Sequence, residues 1–282
     1  MKIPLIVSFL SIFFSITALG AGSSLQHNFD GLAQNIDSVR SPSEAIRSKQ
    51  PTLYCFFLPP NGWNIADPKL LSPHVQIGFF TKGKKETSPS LNLAVEETNL
   101  SLTDYLKAVK AIHESDPSTH WRQLGKIQAL AGLAQLTEID TKTEVGPMRI
   151  LQMILVRDGK AYILTAGALK EEFAEYYQDF QKSFRSLQVT SDLISSVPQA
   201  DRRDALKQAQ ESLFQKWAAL SSNAQTGETL FADKYFQKDV WLPFQNMIIQ
   251  QFADMGAYWQ VQILKAAQEH SITFSSAALE SP

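Results

Sequence analysis

The apolar positions change their spacing along the chain. An uncharged apolar run, Ile3 to Leu19, follows Met1-Lys2 and gives way to Gly20-Ala21-Gly22-Ser23-Ser24. A basic start, an apolar centre and a small-residue exit are the parts of a secretory signal peptide. Residues 1–22 are therefore expected to be a signal cleaved near Gly20 or Gly22. The run is shorter than the ~20 apolar residues needed to span a bilayer and contains Pro4, Ser8, Ser11, Ser15 and Thr17. The competing reading is an uncleaved anchor. Membrane contact is expected only through this segment, and only if it stays uncleaved. Residues 23–50 read as a polar leader, too poor in apolar residues to hold a core.

From 51 to 189 short apolar runs alternate with turn residues. Leu53–Leu58 is a strand ended by Pro59-Pro60-Asn61-Gly62, and Val75–Thr81 is a second. Ser90–Glu97 alternates around Leu91, Leu93 and Val95, which predicts a strand buried on one face. Leu102, Tyr105, Leu106, Val109 and Ile112 then take helical spacing, with Ser101 and Asp104 placed as a cap. Four strands are expected next: Trp121–Leu130, Leu133–Val145, Met148–Val156 and Ala161–Thr165. Glu138, Asp140, Lys142 and Glu144 alternate along the second, so one of its faces should be wet. Gly146-Pro147 is expected to turn the chain. Asp158-Gly159 predicts a tight hairpin whose central residues take positive φ. Phe173, Tyr176, Tyr177, Phe180, Phe184 and Leu187 share one face of a helix over 171–187.

After Val189 a Ser-rich stretch with Pro198 marks a boundary, and residues 190–282 read as a helical domain. Leu206, Leu213 and Trp217 form one stripe. Trp241, Phe244, Ile248, Phe252 and Met255 form another, with Asp239 as its expected cap and Gly256 as a break before Tyr258–Gln268.

Composition narrows the function. The 282 residues carry 26 Lys+Arg against 28 Asp+Glu, and no segment is strongly basic. Nucleic acid is therefore not an expected partner, because such binding rests on neutralising phosphates. A single Cys excludes an internal disulfide framework and Cys-cluster metal sites. Cys55, inside an apolar run, is expected to be a buried strand residue.

The order of these elements resembles the PsbP-like superfamily. That family includes photosystem PsbP proteins, a Ran-binding nuclear import factor and bacterial extracytoplasmic proteins. The resemblance rests on Phe57-Leu58-Pro59-Pro60-Asn61-Gly62-Trp63, Leu102-Thr103-Asp104-Tyr105-Leu106 and Ala131-Gly132-Leu133-Ala134. It is completed by Asp158–Thr165 and Phe180-Gln181-Lys182-Ser183-Phe184. It covers about 51–189 and implies an α+β fold, an antiparallel sheet flanked by helices. It also implies a binding or accessory role, with no shared catalytic set. The α-helical C-terminal domain lies outside it.

Candidate chemistry is sparse. His113-Glu114-Ser115-Asp116 with His120 could offer metal ligands, but a spacing of seven is not the i, i+4 of a helical pair. Pro117 makes the segment read as a loop, so His113 and His120 are weak metal candidates and no cofactor is expected. No Gly-x-Ser-x-Gly elbow or phosphate-binding glycine motif occurs. Candidate binding residues are Trp63, beside the Pro-Asn-Gly turn, and Trp217, Trp241 and Trp259 among the C-terminal aromatics. The expectation is a bacterial, secreted or periplasmic binding protein, not an enzyme, engaging a protein partner or a lipid-like, apolar small molecule. The alternatives are an extracytoplasmic hydrolase with a metal or Ser/His site, and an envelope protein held by its N-terminus.

Overall fold

The computed structural model describes residues 53–84, 87–221 and 231–279; the expected signal and leader lie outside the described residues. The chain divides into two compact units, Pro59–Leu187 and 53–58 together with 188–279.

The first unit is a seven-stranded antiparallel sheet flanked by helices. The strands are β2 (Asn64–Ile65), β3 (Val75–Phe80), β4 (Ser90–Glu97), β5 (Thr119–Ala129), β6 (Gly132–Thr143), β7 (Gly146–Arg157) and β8 (Lys160–Leu169). Their order across the sheet is β2-β3-β4-β8-β7-β6-β5. Helix α1 (Leu102–Glu114) lays Tyr105, Leu106 and Val109 on Ala94, Ile154, Ala161 and Ile163 of one face. Helix α2 (Phe173–Arg185) belongs to the other, burying Phe173, Phe180 and Phe184. Cover on both sides explains why β4 is buried at Asn92 and Ala94 as well as at Leu91 and Leu93, instead of on one face alone.

Local signals hold where a few residues decide them. Ser101 Oγ accepts from Asp104 N–H at 3.2 Å and donates to the Asp104 carboxylate at 2.8 Å, capping α1 at both ends of the pair. Asp158 and Gly159 take φ of +51° and +75°, and Arg157 pairs with Lys160 across the turn. One turn is displaced. Gly146-Pro147 does not bend the chain; Glu144-Val145 forms the tip, and Lys142 pairs with Pro147 inside the ladder.

The second unit opens with β1 (Tyr54–Phe56), which pairs antiparallel with β9 (Gln188–Thr190). The strand at Leu53–Leu58, expected to begin the α+β domain, thus joins the helical unit. Its Cys55 is buried, and the Cys55 carbonyl accepts from Gln262 Nε2 at 2.7 Å. Helices α3 (Ala200–Ser221), α4 (Leu242–Gln251) and α5 (Ala257–Leu279) complete it. The segment before α4 starts earlier than expected. Asp233, not Asp239, is its cap, accepting from Tyr235 N–H and Phe236 N–H. Asp239 falls inside a π-helical turn, Gln237–Trp241. Asp233 has the extended backbone that a cap requires.

Candidate functional site

The structure separates the two histidines. His113 lies on α1 one turn beyond Val109, on the stripe that packs against the sheet, and is buried. Neither of its ring nitrogens has a hydrogen-bond partner. Burial pushes its pKa below the ordinary histidine value, partly opposed by the Asp116 carboxylate. His120 is exposed on β5 and pairs with Asp140, whose side chain is on the opposite face of the sheet from α1. Between them the chain leaves α1 at Glu114, turns through 115–118, which includes Pro117, and enters β5 at Thr119. Among the described residues no group of three or more His, Cys, Asp or Glu could hold a metal ion.

The face carrying Glu138 and Asp140 is not simply wet. Arg149 Nε and its terminal nitrogen grip both oxygens of Asp140 at 2.8 and 2.9 Å, and Lys170 Nζ adds a bond at 2.7 Å. Glu138 is buried between Arg122 and Arg149. The Arg149 bonds, which outweigh desolvation and are reinforced by Lys170, hold the Asp140 carboxyl far below the usual range. A carboxylate clamped in this way is a poor proton acceptor or donor near neutrality, and the bonds of Asp140 to Arg149 tie β6 to β7. Of the four alternating charges Glu138 is buried, Asp140 half-buried, and Lys142 and Glu144, toward the tip, exposed.

The indoles are placed as follows. Trp63 is half-buried and meets Tyr176 and Phe180 of α2 edge-on, with ring centroids 6.2 and 6.0 Å apart. Trp217, Trp241 and Trp259 are buried in the second unit. Trp217 and Trp241 surround Phe231, while Trp259 stacks on Phe252 and donates Nε1–H to Leu193 O and Ser196 Oγ. Trp217 also lines a small, mostly apolar pocket of about 220 Å³ with Phe214, Ala218 and His270. That is below the roughly 300–1,000 Å³ usual for small-molecule sites.

One exposed feature escaped the sequence reading. The β5–β6 hairpin presents Leu130 at 70% exposure, Leu133 at 50% and Leu124 at 42%. Its tip is fixed, because Leu130 N–H donates to Arg185 O at 3.0 Å and Ala131 N–H to Leu187 O at 2.7 Å. Arg157 Nη1 donates to Ala131 O at 3.3 Å, so the Arg157–Lys160 turn lies at the same end of the sheet. Exposed Lys126, Arg157 and Arg185 therefore flank the leucines, with Arg157 paired to Asp158. In sequence these leucines look like any other strand residues.

No family model matches the sequence, and no curated protein matches it. Solved structures with a similar chain path include LpqN of Mycobacterium tuberculosis, involved in cell envelope biogenesis. It is 11% identical, with a TM-score of 0.38 over 51% of this chain and 87% of that one. A cyanobacterial PsbP from Synechocystis sp. PCC 6803 is 16% identical, TM-score 0.36, over 51% of this chain and 96% of that one. The Ran-binding protein Mog1p of Saccharomyces cerevisiae is 13% identical, TM-score 0.36, over 50% and 96%. The PsbP-like neighbours thus cover about half of the chain at low identity.

Proposed function

We propose that the chain is an exported, non-enzymatic binding protein that docks a protein partner through the β5–β6 hairpin. The observation that carries this reading is a backbone-fixed tip bearing Leu130 and Leu133 in water. Exposed apolar side chains on a rigid element lose little entropy on burial and mark interaction surfaces. Lys126 and Arg185 beside them favour a partner whose patch is apolar at its centre and acidic at its rim. Export is supported by the apolar N-terminal segment. The clamped carboxylates and the divided histidines support binding over catalysis.

A photo-crosslinking side chain at position 130 of the full protein, expressed in its own cells, tests the surface. The expected result is one discrete adduct, lost when Leu133→Asp is added and absent when the probe sits at exposed Tyr235 in the second unit. Equal adducts from both positions would refute it. Mass spectrometry of the mature N-terminus tests export: a start near Ala21 to Ser23 supports secretion, and retention of Met1–Leu19 points to the anchored envelope form.

A further inference from the structure

A second feature, independent of the hairpin, lies on the face of the sheet beneath α1. Register aligns one lateral row of side chains: Asn92 beside Thr165, Thr165 beside Gln152, Gln152 beside Thr137, and Thr137 beside Gln123. Directly paired residues point to the same side of a sheet. The row therefore spans β4, β8, β7, β6 and β5, a width of about 19 Å at roughly 4.8 Å per strand. It faces α1, because Ala94, Ile163 and Ile154, two residues along their strands, pack on that helix. Trp121 projects from the adjacent row of the same face, since it pairs with Ile139 as Gln123 pairs with Thr137. His113, buried one turn beyond Val109, lies on the stripe of α1 that packs on this face.

The row's polar atoms are buried and under-used. Asn92, Thr137, Gln152 and His113 are 6%, 0%, 2% and 4% exposed. Asn92 Oδ1, Thr137 Oγ1, Gln152 Oε1, Trp121 Nε1 and both His113 nitrogens have no hydrogen-bond partner. The bond within the row runs from Gln152 Nε2 to Thr165 Oγ1 at 3.3 Å. Buried groups of this kind are nearly always satisfied in folded proteins, so a run of them on one face of one sheet points to a ligand. The row is blocked at β3, where Ala66 and Leu71 crowd Gly78, the residue beside Asn92. It opens at β5, where Gln123 is exposed and Trp121 half-exposed.

Chemistry restricts the occupant. The row offers acceptors (Asn92 Oδ1, Gln152 Oε1), a donor (Trp121 Nε1–H) and groups that do both (Thr137, neutral His113). It offers no ion. Arg122, Glu138, Asp140 and Arg149 lie on the other face by strand alternation, and Glu96 accepts from Tyr105 at the far end of α1. Asp116, the charge near His113, is engaged by Ser118 and Thr119. A charged ligand would find no counter-charge inside the buried row.

We infer that this row is a binding seam for an uncharged, hydroxyl-rich small molecule of the sugar class, entered from the β5 edge beside Trp121. Such a ligand supplies donors and acceptors together, and its carbon-bound face suits the indole at the mouth. The test is side-chain NMR of the full protein, following the Asn92 and Gln152 amides and the Trp121 indole N–H. The titrants are glucose and N-acetylglucosamine, with glucuronate as the charged control. The expected result is saturable shifts at the Trp121 indole and the Gln152 amide with at least one neutral sugar, Asn92 lying two strands further in. Binding of glucuronate should be weaker by about tenfold or more, the order expected when a buried polar partner is mismatched. Thr137→Val with Gln152→Leu should abolish the shifts. If that variant does not fold, Gln123→Leu with Trp121→Phe at the open edge should weaken them instead. No saturable shift with either neutral sugar, meaning ordered water only, would overturn the inference. So would equal binding of glucuronate.

Discussion

Replacing His113 by Leu isolates one buried titratable ring from every other histidine in the protein. Above the unfolded-state pKa of about 6.5, the ring is neutral folded and unfolded, and pH does not alter its contribution. Below that value the unfolded chain takes up a proton that the folded ring refuses, because burial lowers its pKa. Folded stability should therefore fall as pH falls, by up to about 1.4 kcal/mol per pH unit, until the depressed folded pKa is reached. Asp116 opposes part of the shift, but its own carboxyl is held below the usual range by Ser118 and Thr119, so it stays charged throughout the assay. Leucine cannot titrate, and it removes two nitrogens that lack partners, a relief of about 1–3 kcal/mol. The assay is urea unfolding between about pH 5 and about pH 8, with amide exchange at Val109 reporting α1. The variant should be at least as stable as the parent near pH 7, and its advantage should widen toward pH 5. Parallel curves, with a constant difference across the range, would refute the reasoning.

Three further outcomes follow. Asp140→Asn breaks the bidentate grip of Arg149, and charge-assisted bonds of this kind contribute about 1.5–3 kcal/mol. Because the Asp140 pKa is depressed on folding, that contribution is present above about pH 4 and lost as pH falls further; acid-denaturation curves of parent and variant should therefore converge at low pH. Gly159→Ala forces a Cβ into a φ of +75° and should cost about 1–2 kcal/mol in thermal unfolding, without disturbing the Arg157–Lys160 register. Trp259→Phe keeps the stack on Phe252 but removes the indole's bonds to Leu193 O and Ser196 Oγ, while Leu193 O keeps its bond from the Ser196 hydroxyl; the loss should be about 0.5–1.5 kcal/mol, confined to the second unit and readable by exchange of amides in α5.

The parts legible in sequence are those decided within a few residues. Asp158-Gly159 takes positive φ wherever it occurs between such strands, and Ser101 needs only Asp104 to cap α1. Alternation at Glu138 and Asp140 assigned the correct side of β6, but it cannot say what covers that side. The cover is Arg122 and Arg149, each one strand away. His113 sits four residues beyond Val109, so its buried place is present in the helical spacing, while Pro117 marks the turn that follows it. The Asn92–Gln123 row has no sequence signature, because it exists only once five strands have taken their register. The pairing of Tyr54–Phe56 with Gln188–Thr190 was hidden for a different reason: each strand has three residues, and more than a hundred others separate them.

That pairing governs how the chain can be cut and in what order it can be made. Phe56 faces Gln188 across the ladder, with Cα atoms about 5 Å apart, so the whole sheet unit is spliced into the helical one as a closed excursion. Expression from residue 191 onward would omit β1, β9 and the Cys55 carbonyl that Gln262 engages, and should yield a poorly protected fragment. Replacing 59–187 with a short Gly-Ser bridge should instead leave both edges of the seam in place. On the ribosome, β1 emerges early and must wait for β9 and α5, whereas the sheet can finish first. The residues nearest the start of the described chain are therefore among the last to find their partners.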